Sequence, residues 1–346
     1  QTMKRKIAII AGGDSSEHDV SLRSAAGIDS FLDHNLYDVA TVILEGPDWY
    51  MIPDGPQDYL LALEDKHEIR RVPIDKNDFS YDGTRPDFCY ITIHGTPGED
   101  GTLQGYFDML RIPYNTSGVL VEALTFNKFT CNQYMKSYGV SVSESMVIRR
   151  GYESLVTDSE IIDRIGLPCF VKPNCGGSSF CTTKVKTIEE LQPALALAMT
   201  ECPEVMVESF MQGTEVTCGC YKTAAESVVL PLTEVVPKVE FFDYDAKYKG
   251  LSDEITPARI PEDTAERIRL ITSTIYDILN CRGIIRIDYI ITHPTSPDGT
   301  THDHINLLEI NTTPGMTPTS FIPQQIRAAN RDITAVLTSL IEDHFQ

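Results

Sequence analysis

The most chemically loaded stretches of this 346-residue sequence are two tripeptides, Arg286-Ile-Asp288 and Glu309-Ile-Asn311. Each lies in an apolar run with strand periodicity, so each puts two polar groups on one face and turns its central Ile inward. Two carboxylates and an amide oxygen converging from neighbouring strands suit a hard, oxygen-liganded cation such as Mg²⁺. A guanidinium beside that cation would neutralise charge on a reacting phosphoryl or carboxyl group. Solvent-facing charges on an edge strand would account for either pair alone. Both pairs together, with Asn311-Thr-Thr-Pro-Gly315 following the second, favour the metal site.

A second stretch, Val171-Lys-Pro-Asn-Cys-Gly-Gly-Ser-Ser179, sets a lysine on a short strand ahead of paired glycines. Lys172 is placed to pair with nucleotide phosphates. Gly176-Gly177 would let backbone N–H groups of the loop come close to a terminal phosphate. The lysine precedes the glycines, so this is not the Walker A order. An ordinary Gly-rich hairpin would have the same composition.

These residues need elements to hold them. Residues 6–11 form a short apolar run ending in Gly12-Gly13, which reads as a buried strand and a tight turn. Ser16-x-x-Asp19 then resembles a capping box, and Leu22, Ala25, Ile28 and Leu32 recur at helical spacing. Strands are expected over 38–44 and 87–93, and a helix from 103 to 110. This is an open parallel α/β sheet, whose ligands bind at the carboxyl ends of the strands. The loops 12–18 and 94–101 both follow such ends. Residues 46–86 are punctuated by Pro and Gly and resist ordering. From about 118 the pattern changes. A helix over 125–138, strands over 168–172 and 182–185, and a helix over 188–199 make a small α+β unit. Further strands are expected over 205–207, 216–221, 228–235, 283–292 and 305–310, with a long helix at Glu262–Leu279 and a polar hairpin loop over 293–304.

Composition narrows the partners. Hydrophobic residues make up 42% and charged residues 23%, ordinary values that exclude a disordered tail, a collagen-like fibre or a disulfide-stapled scaffold. Acids outnumber bases by 50 to 29, for a formal net charge of −21. Such a chain repels nucleic acid and anionic membranes, so neither is an expected partner. A polyanion such as ATP would need a few local Lys and Arg residues plus a metal ion. The nine Cys form no paired CxxC frame, and Cys169, Cys218, Cys220 and Cys281 sit in apolar runs. They read as reduced core thiols of a cytosolic protein, with Cys218 and Cys220 on one face of a strand. No apolar stretch approaches the roughly 20 residues of a membrane span. No signal-peptide h-region is expected, and Gln1-Thr2 ahead of Met3 reads as an expression remnant.

Six motifs then occur in order: His94-Gly with Glu99-Asp-Gly-Thr-Leu-Gln-Gly105, Lys172-Pro, Gly177-Ser-Ser179, Arg286-Ile-Asp288, and Glu309-Ile-Asn-Thr-Thr-Pro-Gly-Met-Thr317. With the opening Gly12-Gly-x-Ser-x-Glu-x-x-Val-Ser-Leu22, the chain over residues 4–343 resembles the D-alanine–D-alanine ligases of the ATP-grasp superfamily. The resemblance implies an N-terminal substrate-binding α/β domain (1–117), a central ATP-grasp subdomain (118–208) and a C-terminal ATP-grasp catalytic subdomain (209–346). It implies that ATP phosphorylates one D-alanine carboxylate and that the amine of a second attacks the acylphosphate.

By the same resemblance, Glu17 and His94 would hold the first D-alanine. Arg286, with the backbone N–H of Gly315, would stabilise the tetrahedral oxyanion, and Ser320 would hold the second carboxylate. Asp288, Glu309 and Asn311 would bind two Mg²⁺, with Mn²⁺ a possible substitute. Lys128, Lys172 and Lys247 would surround the phosphates. Glu208 and the backbone at Phe210 and Met211 would read adenine, and Glu215 the ribose. Tyr248, on a lid over 237–257, and Ser178 would hydrogen-bond towards Glu17. A homodimer in the bacterial cytoplasm, serving peptidoglycan precursor synthesis, completes the expectation. Three departures from the family stand out: Asn174-Cys175-Gly176, Phe242, and Lys249-Gly250. A D-alanine–D-lactate ligase, another carboxylate–amine ligase and a catalytically silent nucleotide-binding regulator are the alternatives.

Overall fold

The computed structural model describes residues 3–238 and 252–346. The first apolar run becomes β1 (Arg5–Gly12), the strand that lies between β2 (Tyr37–Glu45) and β5 (Phe88–Ile91), both parallel to it. Its side chains alternate between two cores. Ile7, Ile9 and Ala11 pack with Leu22, Ala25 and Ile28 of α1 (His18–Phe31), and Ala8 and Ile10 with Leu103 and Phe107 of α3 (Thr102–Leu110). Burial on both faces is why this strand is apolar from Ile7 to Ala11. The segment that resisted ordering supplies β3 (Asp48–Ile52), α2 (Gly55–Asp65) and β4 (Val72–Pro73). Both of these strands pair antiparallel, so the sheet is mixed at that edge, in the order β4-β3-β2-β1-β5.

A second, antiparallel sheet runs β6-β9-β7-β8, from β6 (Ser145–Arg149), β7 (Cys169–Pro173), β8 (Thr183–Val185) and β9 (Glu204–Ser209). The helices α6 (Asp158–Ile165) and α7 (Leu191–Glu201) share its core. The third sheet runs β13-β12-β10-β14-β15, with β11 (Ser227–Val229) also on β10. Its strands are β10 (Thr214–Lys222), β12 (Thr233–Pro237), β13 (Ser252–Ile255), β14 (Ile285–Thr292) and β15 (His304–Asn311). The helix Glu262–Leu279 packs on it, joined by Val121 of α4 (Val119–Phe126) and Cys131 and Met135 of α5 (Lys128–Ser137). The last two helices, Phe321–Ala328 and Ile333–Glu342, return to the core of the first sheet.

Three local expectations change. The proposed capping box at Ser16 does not form: α1 starts at His18 with no side-chain cap, and Ser16 Oγ instead donates to Glu201 Oε1 at 3.0 Å. The helix expected over 125–138 is two helices, because Asn127 leaves the helical conformation and its Oδ1 caps Thr130 N at 3.0 Å. The strand expected over 228–235 splits into β11 and β12, with Pro231, which has no N–H to donate, between them. All nine cysteines are free, and Cys169, Cys218, Cys220 and Cys281 are buried. Among the described residues no helix is long and apolar enough to cross a membrane.

Candidate active site

Antiparallel pairing of β14 with β15 sets Arg286 opposite Asn311 and Asp288 opposite Glu309, so all four side chains share one face. Ile287 and Ile310 turn the other way into the core. Arg286 donates to both Asp288 oxygens, from Nε at 2.9 Å and from Nη2 at 3.1 Å. Asn311 Nδ2 lies 3.3 Å from Asp288 Oδ2. Among the described residues no three His, Cys, Asp or Glu side chains gather as a metal cluster. The donor set is thus two carboxylates and an amide oxygen. These are hard oxygen donors of the kind Mg²⁺ takes when substrate phosphates and water complete its shell, so they fit the cation.

Lys128 sits at the first position of α5, where its Nζ lies 3.3 Å from Glu309 Oε2 and also donates to the Gly176 carbonyl. Burial works against its charge, but the Glu309 carboxylate beside it pulls the other way and its pKa is raised, so Lys128 is cationic. On the second sheet Lys172 and Glu208 form a buried ion pair at 2.5 Å across neighbouring strands. Glu208 Oε2 is buried with no partner, an acceptor left open beside Phe210 and Met211.

The N-terminal domain closes the other side. Glu17, at the start of α1, accepts a hydrogen bond from Ser178 Oγ. A Cβ on Gly177 would stand 2.1 Å from Glu17 Oε2, so any larger residue there would have to push the Glu17 carboxylate aside. Gly177→Ala is expected to fold yet lower turnover by roughly ten- to a hundredfold, the effect of moving a site group by about 1 Å. Steady-state kinetics check this, and unchanged constants would show that Glu17 yields without cost. His94 follows β5, and its Nδ1–H donates to the Thr313 carbonyl at 2.8 Å. Its Nε2 lies 3.2 Å from Ser24 Oγ. Burial lowers the His94 pKa against the opposing pull of Glu17, so the ring is neutral and both nitrogens are engaged within the protein. Burial, reinforced by the Glu17 charge, pushes Glu99 up to about 8, although the Gly95 N–H at 2.8 Å opposes this. A protonated Glu99 removes one negative charge from the site at neutral pH. Ser320 Oγ accepts from Thr317 N at 3.1 Å, beside Gly315.

These groups line two adjoining cavities that share Lys128, Gly177 and Glu309. The first, about 360 Å³, holds Glu17, His94, Ser178, Arg286, Gly315 and Ser320. The second, about 420 Å³, holds Lys172, Glu208, Phe210 and Met211. Glu215, Gly176 and Ser179 border both. Phe242, Lys247, Tyr248 and Lys249-Gly250 lie outside the described residues. Sequence reasoning assigned no role to Glu99, Asn174, Ser21 or Ser24. The two serines fall four and seven residues after Glu17 on one face of α1, a helical spacing that marks them. Ser21 accepts from Gly12 N at 2.9 Å and donates to Thr92 O at 2.7 Å, locking the two strand-end loops together.

Two sheet-and-helix units closing on a lysine-lined cleft, with an arginine and carboxylate face beneath it, define an ATP-grasp fold. Family models confirm the assignment. Residues 6–117 match the D-ala D-ala ligase N-terminus and residues 134–342 the D-ala D-ala ligase C-terminus. The chain belongs to the D-alanine–D-alanine ligase family. It is 60% identical to the D-alanine–D-alanine ligase of Phocaeicola vulgatus, over 99% of this chain and 100% of that protein. It is 50% identical to that of Porphyromonas gingivalis W83, over 99% and 98%. Among solved structures it is similar to the VanG D-Ala:D-Ser ligase from Enterococcus faecalis (TM-score 0.83, 31% identity, 99% and 100% covered). It is also similar to the D-alanine–D-alanine ligase from Coxiella burnetii (TM-score 0.82, 26% identity, 98% and 93% covered).

Proposed function

We propose that this chain joins two D-alanines, with ATP in the second cavity and the amino acids in the first. The observation that carries this reading is the junction of the two cavities at Lys128 and Glu309, where a transferred phosphoryl group would pass between them. In the second cavity the open Glu208 oxygen suits the adenine amino group, with the Phe210 and Met211 backbone beside it and Glu215 at the ribose. Lys128 and Lys172 supply the local positive charge that a protein of net charge −21 needs to hold ATP. In the first, Glu17 accepts the ammonium of the first D-alanine, and His94 fixes the 313–316 loop against α1. That D-alanine's carboxylate attacks the γ-phosphorus, ADP leaves, and the second amine attacks the acylphosphate carbonyl and expels phosphate.

Asp288, Glu309 and Asn311 would hold Mg²⁺, which when bound supplies charge neutralisation at the phosphates. Arg286 faces the oxyanion formed on attack, together with the Gly315 N–H, and Ser320 takes the second carboxylate. Tyr248 and Lys247 belong to the same reading as groups of the lid, which would exclude water from the acylphosphate. The homodimer and the bacterial cytoplasmic location implied by the resemblance belong to it too.

The test is a product competition. With equal D-alanine, D-lactate and D-serine near neutral pH, mass analysis is expected to show mainly D-alanyl-D-alanine. A depsipeptide or a D-alanyl-D-serine majority would overturn the second-subsite assignment. Phosphate release independent of D-alanine would overturn the ligase reading itself.

A further inference from the structure

Asn174 is part of a departure from the family pattern, and its surroundings give that departure a purpose. It is 1% exposed, at the point where β7 passes into the glycine loop. Its Oδ1 accepts from Phe129 N at 2.9 Å, and its carbonyl accepts from Lys128 N at 3.0 Å. Its Nδ2 donates to Asn127 Oδ1 at 2.9 Å and to Glu204 Oε2 at 3.0 Å, and its own N–H donates to the Glu204 carbonyl at 2.9 Å.

The first N–H groups of a helix have no partner within it. Here Asn174 takes the first two of α5, and Asn127, which Asn174 orients, takes the third. A residue just past the end of β7 therefore does most of the capping of the helix that carries Lys128. Glu204 is in turn anchored by Arg149 Nε at 2.7 Å, a hydrogen bond that holds its carboxyl below the usual range and keeps it an acceptor. The chain of contacts runs from Arg149 through Glu204 and Asn174 to the backbone on either side of Lys128. From there the Lys128 side chain reaches Gly176 and Glu309.

We propose that Asn174 is a positioning residue for phosphoryl transfer, holding Lys128 at the junction of the two cavities so that its ammonium meets the nucleotide phosphates. The proposal rests on the reading that Lys128 grips those phosphates, and the test separates the two. In steady-state kinetics, Lys128→Ala is expected to raise KM for ATP by about tenfold or more, the loss of one charged contact. Asn174→Ala is expected to raise KM for ATP about five- to tenfold, with KM for D-alanine within about twofold. In the Lys128→Ala background, Asn174→Ala is expected to add less than about twofold, since residues acting through one another are not additive. Asn174→Asp keeps the acceptor for Phe129 N but sets a carboxylate against Glu204. It is expected to shift KM for ATP in the same direction, and it stands in if the alanine variant does not fold.

An unchanged KM for ATP in Lys128→Ala would overturn the reading of Lys128, and the proposal with it. A Lys128→Ala effect with no shift in either Asn174 variant would overturn the proposal alone. So would a full additive effect in the double variant, or a lowered melting temperature with both KM values unchanged.

Discussion

Glu309→Gln is expected to fold normally and to lower turnover by roughly a thousandfold, the scale of removing a preorganised charge from a transition state. Glu309 is the carboxylate at the wall between the two cavities, 3.3 Å from Lys128 Nζ and opposite Asp288 on the neighbouring strand. Gln has nearly the same shape, so the strand pairing and the Ile310 contacts behind it remain. What goes is one of two negative charges that would hold the cation against the transferring phosphoryl group, and the partner that keeps Lys128 cationic. Initial rates across a Mg²⁺ titration, beside a thermal melt, measure both effects. Near-normal turnover at saturating Mg²⁺ would take Glu309 out of the metal site.

Arg286→Ala is expected to cost on the order of 10²–10³ in turnover, with ATP affinity changed far less. The guanidinium interacts most strongly with charge that develops as the amine attacks, so its loss is felt in the transition state more than in the bound ground state. The structure adds a second consequence. Arg286 donates twice to Asp288, so the variant also frees that carboxylate. Arg286→Lys keeps a positive charge but not the planar fork, and is expected to recover only part of the activity. Single-turnover rates and direct ATP binding divide the outcomes. An ATP affinity lowered as much as turnover was expected to fall, with turnover itself unchanged, would make Arg286 a nucleotide clamp.

Much of this site is legible in the sequence because it obeys short-range rules. Period-two alternation through Arg286-Ile-Asp288 and Glu309-Ile-Asn311 puts the polar groups on one strand face, whatever the rest of the chain does. The buried run of β1, the paired Gly176-Gly177 and the helix Glu262–Leu279 are equally local signals. Turn and cap assignments fared less well, since Ser16 and Asn127 choose their partners from whatever lies nearby. Ser16 found Glu201, 185 residues away, rather than its own helix.

Only the tertiary structure decided which distant groups meet. The register of β14 on β15 brings Arg286 opposite Asn311, and the close approach of Gly177 brings Ser178 to Glu17 across 161 residues. The neutral state of His94 and the high pKa of Glu99 follow from burial, which no residue type reveals by itself. Asn174 is the sharpest case. As a residue type in a glycine-rich loop it signals a turn, yet its amide caps a helix from a different part of the chain. Sequence by itself determined the strands that carry Arg286, Asp288, Glu309 and Asn311, the family and the chemical kinds of the site groups, because those follow from local periodicity and side-chain type. Packing alone decided their partners and protonation, because hydrogen bonds and desolvation depend on neighbours in space that chain order does not specify.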